Sequence, residues 1–364
     1  MWAHEDVRQA LGERRAELFS AAYDITVQGN WEGRNVLNRP RPLDEIAANY
    51  GITVNALQEI LDHSKQILFN IRSRRIGPET DDKIIIAWNG MLIAGMATAA
   101  RTLGDERYLR AANAAVDYIL TVMTVGDRLM HTARHHKAGV PAFLDDYTCL
   151  IDGLIELYQS SFDEMRIQQA LRLADRLLSD FADPDNGGFF FTPVDQVTPI
   201  TRVKDSQDGA TPSGNAMAAT ALLKLAALTG RVDLLEKAES ALRLMDGQLR
   251  RSPMSGGQSL IAIDHLLGPG VVVLIQSKSA KPTQSRMLSL LRSRFTPGLL
   301  VSWRGANHDS DDDSVLAQLY ADRAAIAAAS ETAWVCEHGR CLSPVTTSDD
   351  LSAVIDQLLP QRQQ

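Results

Sequence analysis

The chain has 364 residues, 45% of them hydrophobic and 23% charged, with a formal net charge of −8 at pH 7 and a pI near 5.5. This is the balance of a globular protein with one large core or two modest ones, and its acidity argues against a nucleic-acid surface, which needs clustered Lys and Arg. No stretch approaches the roughly 18 uninterrupted apolar residues of a membrane span, and the amino terminus MWAHEDVRQALGERR is charged throughout rather than signal-like. The reading is therefore cytoplasmic, with no membrane partner.

Along the chain, ERRAELFSAAYDI and ALQEILDHSKQILFNIR read as amphipathic helices joined through GNWEGRNVLNRPRP, a loop rich in Gly and Pro. Three repeats of one unit follow. IIIAWNGMLIAGMATAARTLG leads into DERYLRAANAAVDYILTVM, FLDDYTCLIDGLIELYQSS into DEMRIQQALRLADRLLSDF, and PSGNAMAATALLKLAALTG into RVDLLEKAESALRLMDG. In each pair the first helix is apolar on most faces and must be covered on several sides, whereas the second keeps a charged stripe in water. Short turns make the partners antiparallel neighbours. The segments GDRLMHTARHHKAG and DPDNGGFFFTPVDQVTPITR have strand or turn character and sit ahead of the next inner helix. Inner helix, outer helix and rim segment give a period of roughly 60 to 70 residues, longer than a superhelical solenoid repeat.

The character changes at Leu267-Gly268-Pro269-Gly270. VVVLIQ and LLVSWRG read as buried strands with a helix, SRMLSLLRSRF, between them; AWVCEHGRC reads as a strand and turn, and TSDDLSAVIDQLL as a closing helix. The expected architecture is mainly α: an α/α toroid over residues 1–266, incomplete, with a small α/β element over 267–364. Cys149, Cys336 and Cys341 are too few and too scattered for a disulfide framework and are expected as reduced thiols.

Six phrases in order, GNWEGRNVL, DDKIIIAWNGMLIAGMA, FLDDYTCLIDGLIELY, GGFFFT, DGATPSGNAMAA and AWVCEHGRCLSP, resemble the YyaL-type proteins, the family of spermatogenesis-associated protein 20. The resemblance implies a six-hairpin toroid of the glycosidase and sugar-epimerase kind, preceded in full-length relatives by a thioredoxin-like domain. This sequence departs from that plan. It has no CxxC motif and no thioredoxin-like βαβ stretch, and shows about nine toroid helices rather than the roughly twelve of six hairpins. The family's amino-terminal half is therefore expected to be missing, redox activity is not carried over, and apolar faces left open by absent hairpins are expected to promote self-association.

In such a ring the amino-terminal ends of the inner helices gather around a cavity. The residues there are Asp82, Trp88 and Asn89; Asp145, Asp146 and Tyr147; and Asp208, Ser213 and Asn215. Carboxylates and amides pair with hydroxyls, and an indole face stacks on a sugar ring, so the set suits a small carbohydrate. Asp145, Asp146 and Asp208 are the acid–base candidates, for glycoside hydrolysis or epimerisation, and Arg202 is a candidate for an anionic substituent. Each also has a plain structural reading: the Asp residues, Ser213 and Asn215 as helix caps, Trp88 as core, Arg202 as surface charge. Asn89 and Gly90 interrupt an otherwise apolar helix at a cost in propensity, which tilts that segment towards function. His131, His135 and His136 are the base an epimerase would need, or a solvated loop. Cys336 and Cys341, with only His338 nearby, cannot complete a tetrahedral zinc site. No metal or cofactor is expected. A non-catalytic ligand- or protein-binding module, or a truncated gene product, stands as the alternative.

Overall fold

The computed structural model describes residues 1–196, 200–306, 314–321, 323 and 329–359; residues 197–199 of the second rim segment lie outside them. The chain forms two compact units, Met1–Asp81 and Asp82–Gln364. The first holds α1 (His4–Leu11), α2 (Glu13–Tyr23), α3 (Leu43–Asn49) and α4 (Val54–Arg72). Helices α2 and α4 are the expected pair, and Phe19, Ile46, Leu57 and Leu61 form their common core. The intervening loop is built on Asn35, a buried side chain that accepts from Thr26 N and donates to Trp2 O and Thr26 O.

The second unit begins with β1 (Ile84–Ile85), α5 (Ile86–Leu103), α6 (Glu106–Val122), β2 (Thr124–Val125), β3 (Arg128–Arg134) and β4 (Lys137–Pro141). It continues through α7 (Leu144–Ser161), α8 (Glu164–Phe181), α9 (Gly214–Thr229), α10 (Val232–Arg251) and α11 (Gly257–Leu267). The three hairpins turn where the chain takes a left-handed residue, at Gly104, Phe162 and Gly230. The first inner helix starts later than its apolar run, because Ile84 and Ile85 pair with Ala133 and Thr132 of β3. The expected strand at Phe189–Phe191 is reduced to one bridge, Ala182 to Phe189.

Inner helices pack in sequence order, α5 on α7, α7 on α9 and α9 on α11, while α6, α8 and α10 each cover their own partner. This is an incomplete α/α toroid whose fourth inner helix, α11, the repeat pattern does not reveal. The middle helices α7 and α9 expose no residue, as members covered on both sides must not, whereas α5 shows Trp88, Leu92 and Leu103 and α11 shows Leu260, Ile261 and Leu267. The α5–α7 crossing is the tightest in the row. A Cβ on Gly90 would lie 2.5 Å from the carbonyl carbon of Cys149, and one on Gly153 would lie 2.9 Å from the carbonyl oxygen of Gly90. Close helix approach therefore requires glycine at both places, and Gly90 has a packing reason independent of any ligand.

The carboxy-terminal element contains β5 (Val271–Ser277), α12 (Arg286–Arg292), β6 (Leu300–Arg304), α13 (Ala317–Tyr320), β7 (Glu331–Glu337), β8 (Arg340–Cys341) and α14 (Ser348–Leu358). Strand order is β6-β5-β7-β8, with β5 and β6 parallel and β5 and β7 antiparallel. The apolar run VVVLI is buried throughout, as a central strand requires. The sheet is joined to α7 by buried polar contacts: Gln159 exchanges hydrogen bonds with Val301 N and O at 2.8 and 3.0 Å, and the Tyr158 and Ser302 hydroxyls lie 2.6 Å apart. Residue 266 lies in the last turn of α11, and one core runs from the toroid helices into the sheet.

The thiol reading is corrected on one point. Register places Cys336 directly opposite Cys341 across the β7–β8 hairpin, Cα atoms 3.8 Å apart, and the two form a disulfide; Cys149 is buried and free. Spacing in a tight hairpin, rather than cysteine number, decides this pairing.

Candidate active site

The site is assembled where the start of α5, strand β3 and the start of α7 meet. Asp146, fully buried in the first turn of α7, receives Ala87 N on Oδ1 at 3.0 Å and Phe143 N on Oδ2 at 2.9 Å. Its Oδ2 also meets His131 Nδ1 at 2.8 Å. With a carboxylate as partner, Nδ1 carries the proton and donates, which leaves Nε2 as the basic nitrogen. The hydrogen bond to Asp146 outweighs burial and raises the His131 pKa above its ordinary value. The imidazole packs edge-on against Phe143, and its side chain keeps 24% exposure.

Asp145, one residue away, behaves differently. Burial first, and the Asp146 charge second, push its carboxyl up to about 6. The pair thus consists of one carboxylate fixed by backbone amides and one carboxyl poised near neutrality, and such divergent environments often mark acid–base chemistry. Trp88 follows Ala87 directly and is 61% exposed, so the indole lies on the open side of α5 rather than in the core.

The other sequence candidates fall elsewhere. Asp82 is exposed and pairs with Arg134 and His135 at the β3–β4 turn. Asn89 donates to Ile85 O of its own helix start at 2.9 Å. Tyr147 points into the core, its ring against Phe181 and its hydroxyl accepting Leu129 N. Asp208 places one oxygen on Ser213 N and the other on Gln258 N, capping α9 and α11 together. Ser213 caps α9 through Ala216 N. Asn215, fully buried, accepts Phe189 N and donates to Phe189 O and Asp205 O, clamping the GGFFFT segment. Arg202 lies over the Phe190 ring and donates to Thr192 O and Asp180 O. His131, named in the sequence only together with His135 and His136 as a possible base or a solvated loop, is the one that meets Asp146. The signal for it is strand alternation: it shares a face of β3 with buried Leu129 and Ala133, so it points inward while His135 and His136 turn at the tip.

No family model matches the sequence. Among curated proteins, spermatogenesis-associated protein 20 of Homo sapiens is 27% identical over 388 residues, covering 98% of this chain and 49% of that protein. The Mus musculus protein is 28% identical over 392 residues with the same coverage. Over nearly its whole length, this chain is similar to spermatogenesis-associated protein 20. It spans about half the length of these relatives. Of the six phrases that carry the resemblance to the spermatogenesis-associated protein 20 family, FLDDYTC supplies Asp145 and Asp146, while GGFFFT and PSGN form the Asn215 clamp. Solved structures with partial likeness include cellobiose 2-epimerase from Bacillus thermoamylovorans B4167, at TM-score 0.38, 14% identity and 46% and 45% coverage of this chain and that one. Unsaturated glucuronyl hydrolase from Bacillus sp. GL1 gives TM-score 0.37, 19% identity and 53% and 57% coverage. Among the described residues no group of three or more His, Cys, Asp or Glu could hold a metal ion, and no helix is long and apolar enough to cross a membrane.

Proposed function

We propose that the second unit binds a small carbohydrate at this rim and moves a proton on it, as an epimerase or isomerase does. The observation that carries the reading is the buried Asp146 carboxylate held 2.8 Å from His131 Nδ1, beside a carboxyl displaced to about 6. His131 Nε2 would take the proton from the carbon next to a sugar carbonyl to leave an enediolate, and the protonated Asp145 carboxyl would deliver a different proton to it; one proton is lost and one gained with no change of oxidation state, so no redox partner is needed. Asp146 orients the imidazole and stabilises its charged form. Trp88 offers a stacking face for the ring.

Glycoside hydrolysis fits less well. Both Asp146 oxygens are taken by backbone amides and His131, and both Asp208 oxygens by helix caps. Neither carboxylate is free to serve as the second group that hydrolysis needs. A thermal-shift screen across mono- and disaccharides tests the reading, because a ligand stabilises only the state it binds. At least one reducing sugar is expected to raise the melting temperature of the wild type and not of Trp88→Ala. A panel without effect on the wild type would favour a protein-binding role for this face.

A further inference from the structure

At the opposite ends of the inner helices lies a concavity of about 260 Å³, bounded by α5, α7, α9, α11, α12 and the segment leading to β6. That is just under the roughly 300 Å³ at which pockets begin to accept drug-sized ligands, so it suits a small metabolite. Its lining combines the charged side chains Arg101, Lys224, Glu156 and Arg292 with the apolar Leu288, Leu291 and Phe295.

The charges among these side chains do not balance. Glu156 gives one oxygen to Arg101 at 2.6 Å and the other to Lys224 at 2.8 Å, and Lys224 also binds Asp152 at 2.7 Å. Arg294, at the same mouth, is matched by Asp356. Arg292 has no carboxylate among the described residues. Its Nη2 donates to Ser160 O at 2.9 Å at the end of α7, its Nε is buried without a partner, and its Nη1 makes no hydrogen bond to a described residue. Burial first, and the Arg101 charge second, hold its guanidinium below the ordinary value, as expected of a cation short of a counter-charge. His265, also lining the space, is kept neutral by burial and by Lys224 and adds no charge at pH 7. A structural role for Arg292, which donates to Ser160 O and lies over the Phe162 ring 5.7 Å from its centroid, ties α12 to the end of α7 but leaves Nη1 without a hydrogen bond to a described residue.

We propose that this concavity binds a small organic oxyanion, a carboxylate or phosphate ester, whose charged group meets Arg292 and whose body lies against Leu288, Leu291 and Phe295. Arginine is suited to this task because its planar fork matches an oxyanion with two parallel donors. The site is separate from the rim of His131 and does not depend on its chemistry.

The experiment is isothermal titration and thermal shift of the full chain with inorganic phosphate and with succinate, against chloride at equal ionic strength. Saturable stabilisation by at least one oxyanion is expected, and the stronger of the two identifies the source. Arg292→Met should weaken that binding at least tenfold and Arg292→Lys by less. Phe295→Glu, at a side chain 94% exposed, should weaken it several-fold through repulsion without disturbing the core. If Arg292→Met does not fold, Phe295→Glu decides alone. Equal behaviour of phosphate, succinate and chloride, or unchanged affinity in the folded variants, would overturn the proposal.

Discussion

Asp145 and Asp146 are chemically identical neighbours, and the fold separates them by what each oxygen touches. Asp146 is saturated by two amides and an imidazole; Asp145 is half-buried beside it and receives the amide of Asp146 at 3.1 Å. A carboxyl whose folded-state pKa rises from its ordinary 3.8 to about 6 stabilises the fold while protonated. That contribution is complete below 3.8 and disappears as the pH rises through 6, amounting to on the order of 3 kcal/mol. Asp145→Asn, which keeps the shape of the protonated acid, is therefore expected to equal the wild type near pH 4 and exceed it by up to about 3 kcal/mol at pH 8, measured by chemical denaturation at both values. The Asp146 carboxylate disfavours the charged form of Asp145 but favours that of His131, and the two contributions nevertheless share the same pH dependence. The raised pKa of His131 means that stability gained from the charged pair is present below the ordinary 6.5 and lost as the pH climbs through the folded value. Asp146→Asn should move the His131 titration downward, followed through its ring proton resonances; an unchanged midpoint would show that Asp146 does not control it. Lys83 and Asp145 also act on this histidine, in opposite directions, and remain in the variant.

At the scale of elements, the hairpins follow from apolar periodicity and short turns, and those signals are local. What the sequence could not convey is which small residues mark contacts between helices. Gly90 reads as a functional irregularity until α7 is placed against it, when it becomes the only residue type that fits. Gly90→Ala is expected to cost at least about 2 kcal/mol, because a methyl would meet backbone rather than a yielding side chain; thermal unfolding would reveal it. Asn215 looks like a helix-start residue or a ligand contact, and both readings are reasonable from PSGN alone. Only the long-range return of the GGFFFT segment shows that its amide substitutes for a strand partner. Asn215→Ala should leave the Phe189 amide and two carbonyls without this side chain, destabilise by about 2–3 kcal/mol, and loosen 187–192 in hydrogen exchange. The α11 helix is hidden in the sequence for a related reason: it follows a Pro and Gly-rich turn, and its outward face carries Leu260 and Ile261 instead of the charges that mark an outer helix.

At the scale of the molecule, the row of inner helices ends in two apolar edges. Trp88 and Leu92 on α5 and Leu260 and Ile261 on α11 are the expected basis for concentration-dependent association. Light scattering of the wild type and of Leu92→Glu would test this, with a smaller average mass expected for the variant. The fold class and the α/β element were legible in the sequence, because buried strands and alternating inner and outer helices leave patterns in hydrophobicity. The site was legible only in outline. Acidic residues at helix starts announce themselves, but whether an oxygen faces a backbone amide or an imidazole depends on contacts such as the 59-residue separation between Ala87 and Asp146. The central claim is that His131, set by Asp146, moves a proton on a sugar. The direct test is to incubate the protein with reducing sugars in heavy water and follow deuterium at the carbon beside the carbonyl by nuclear magnetic resonance. Incorporation by the wild type that is lost in His131→Gln, with Asp208→Asn still active, is the expected result; no incorporation into any sugar, or equal incorporation by His131→Gln, would contradict it.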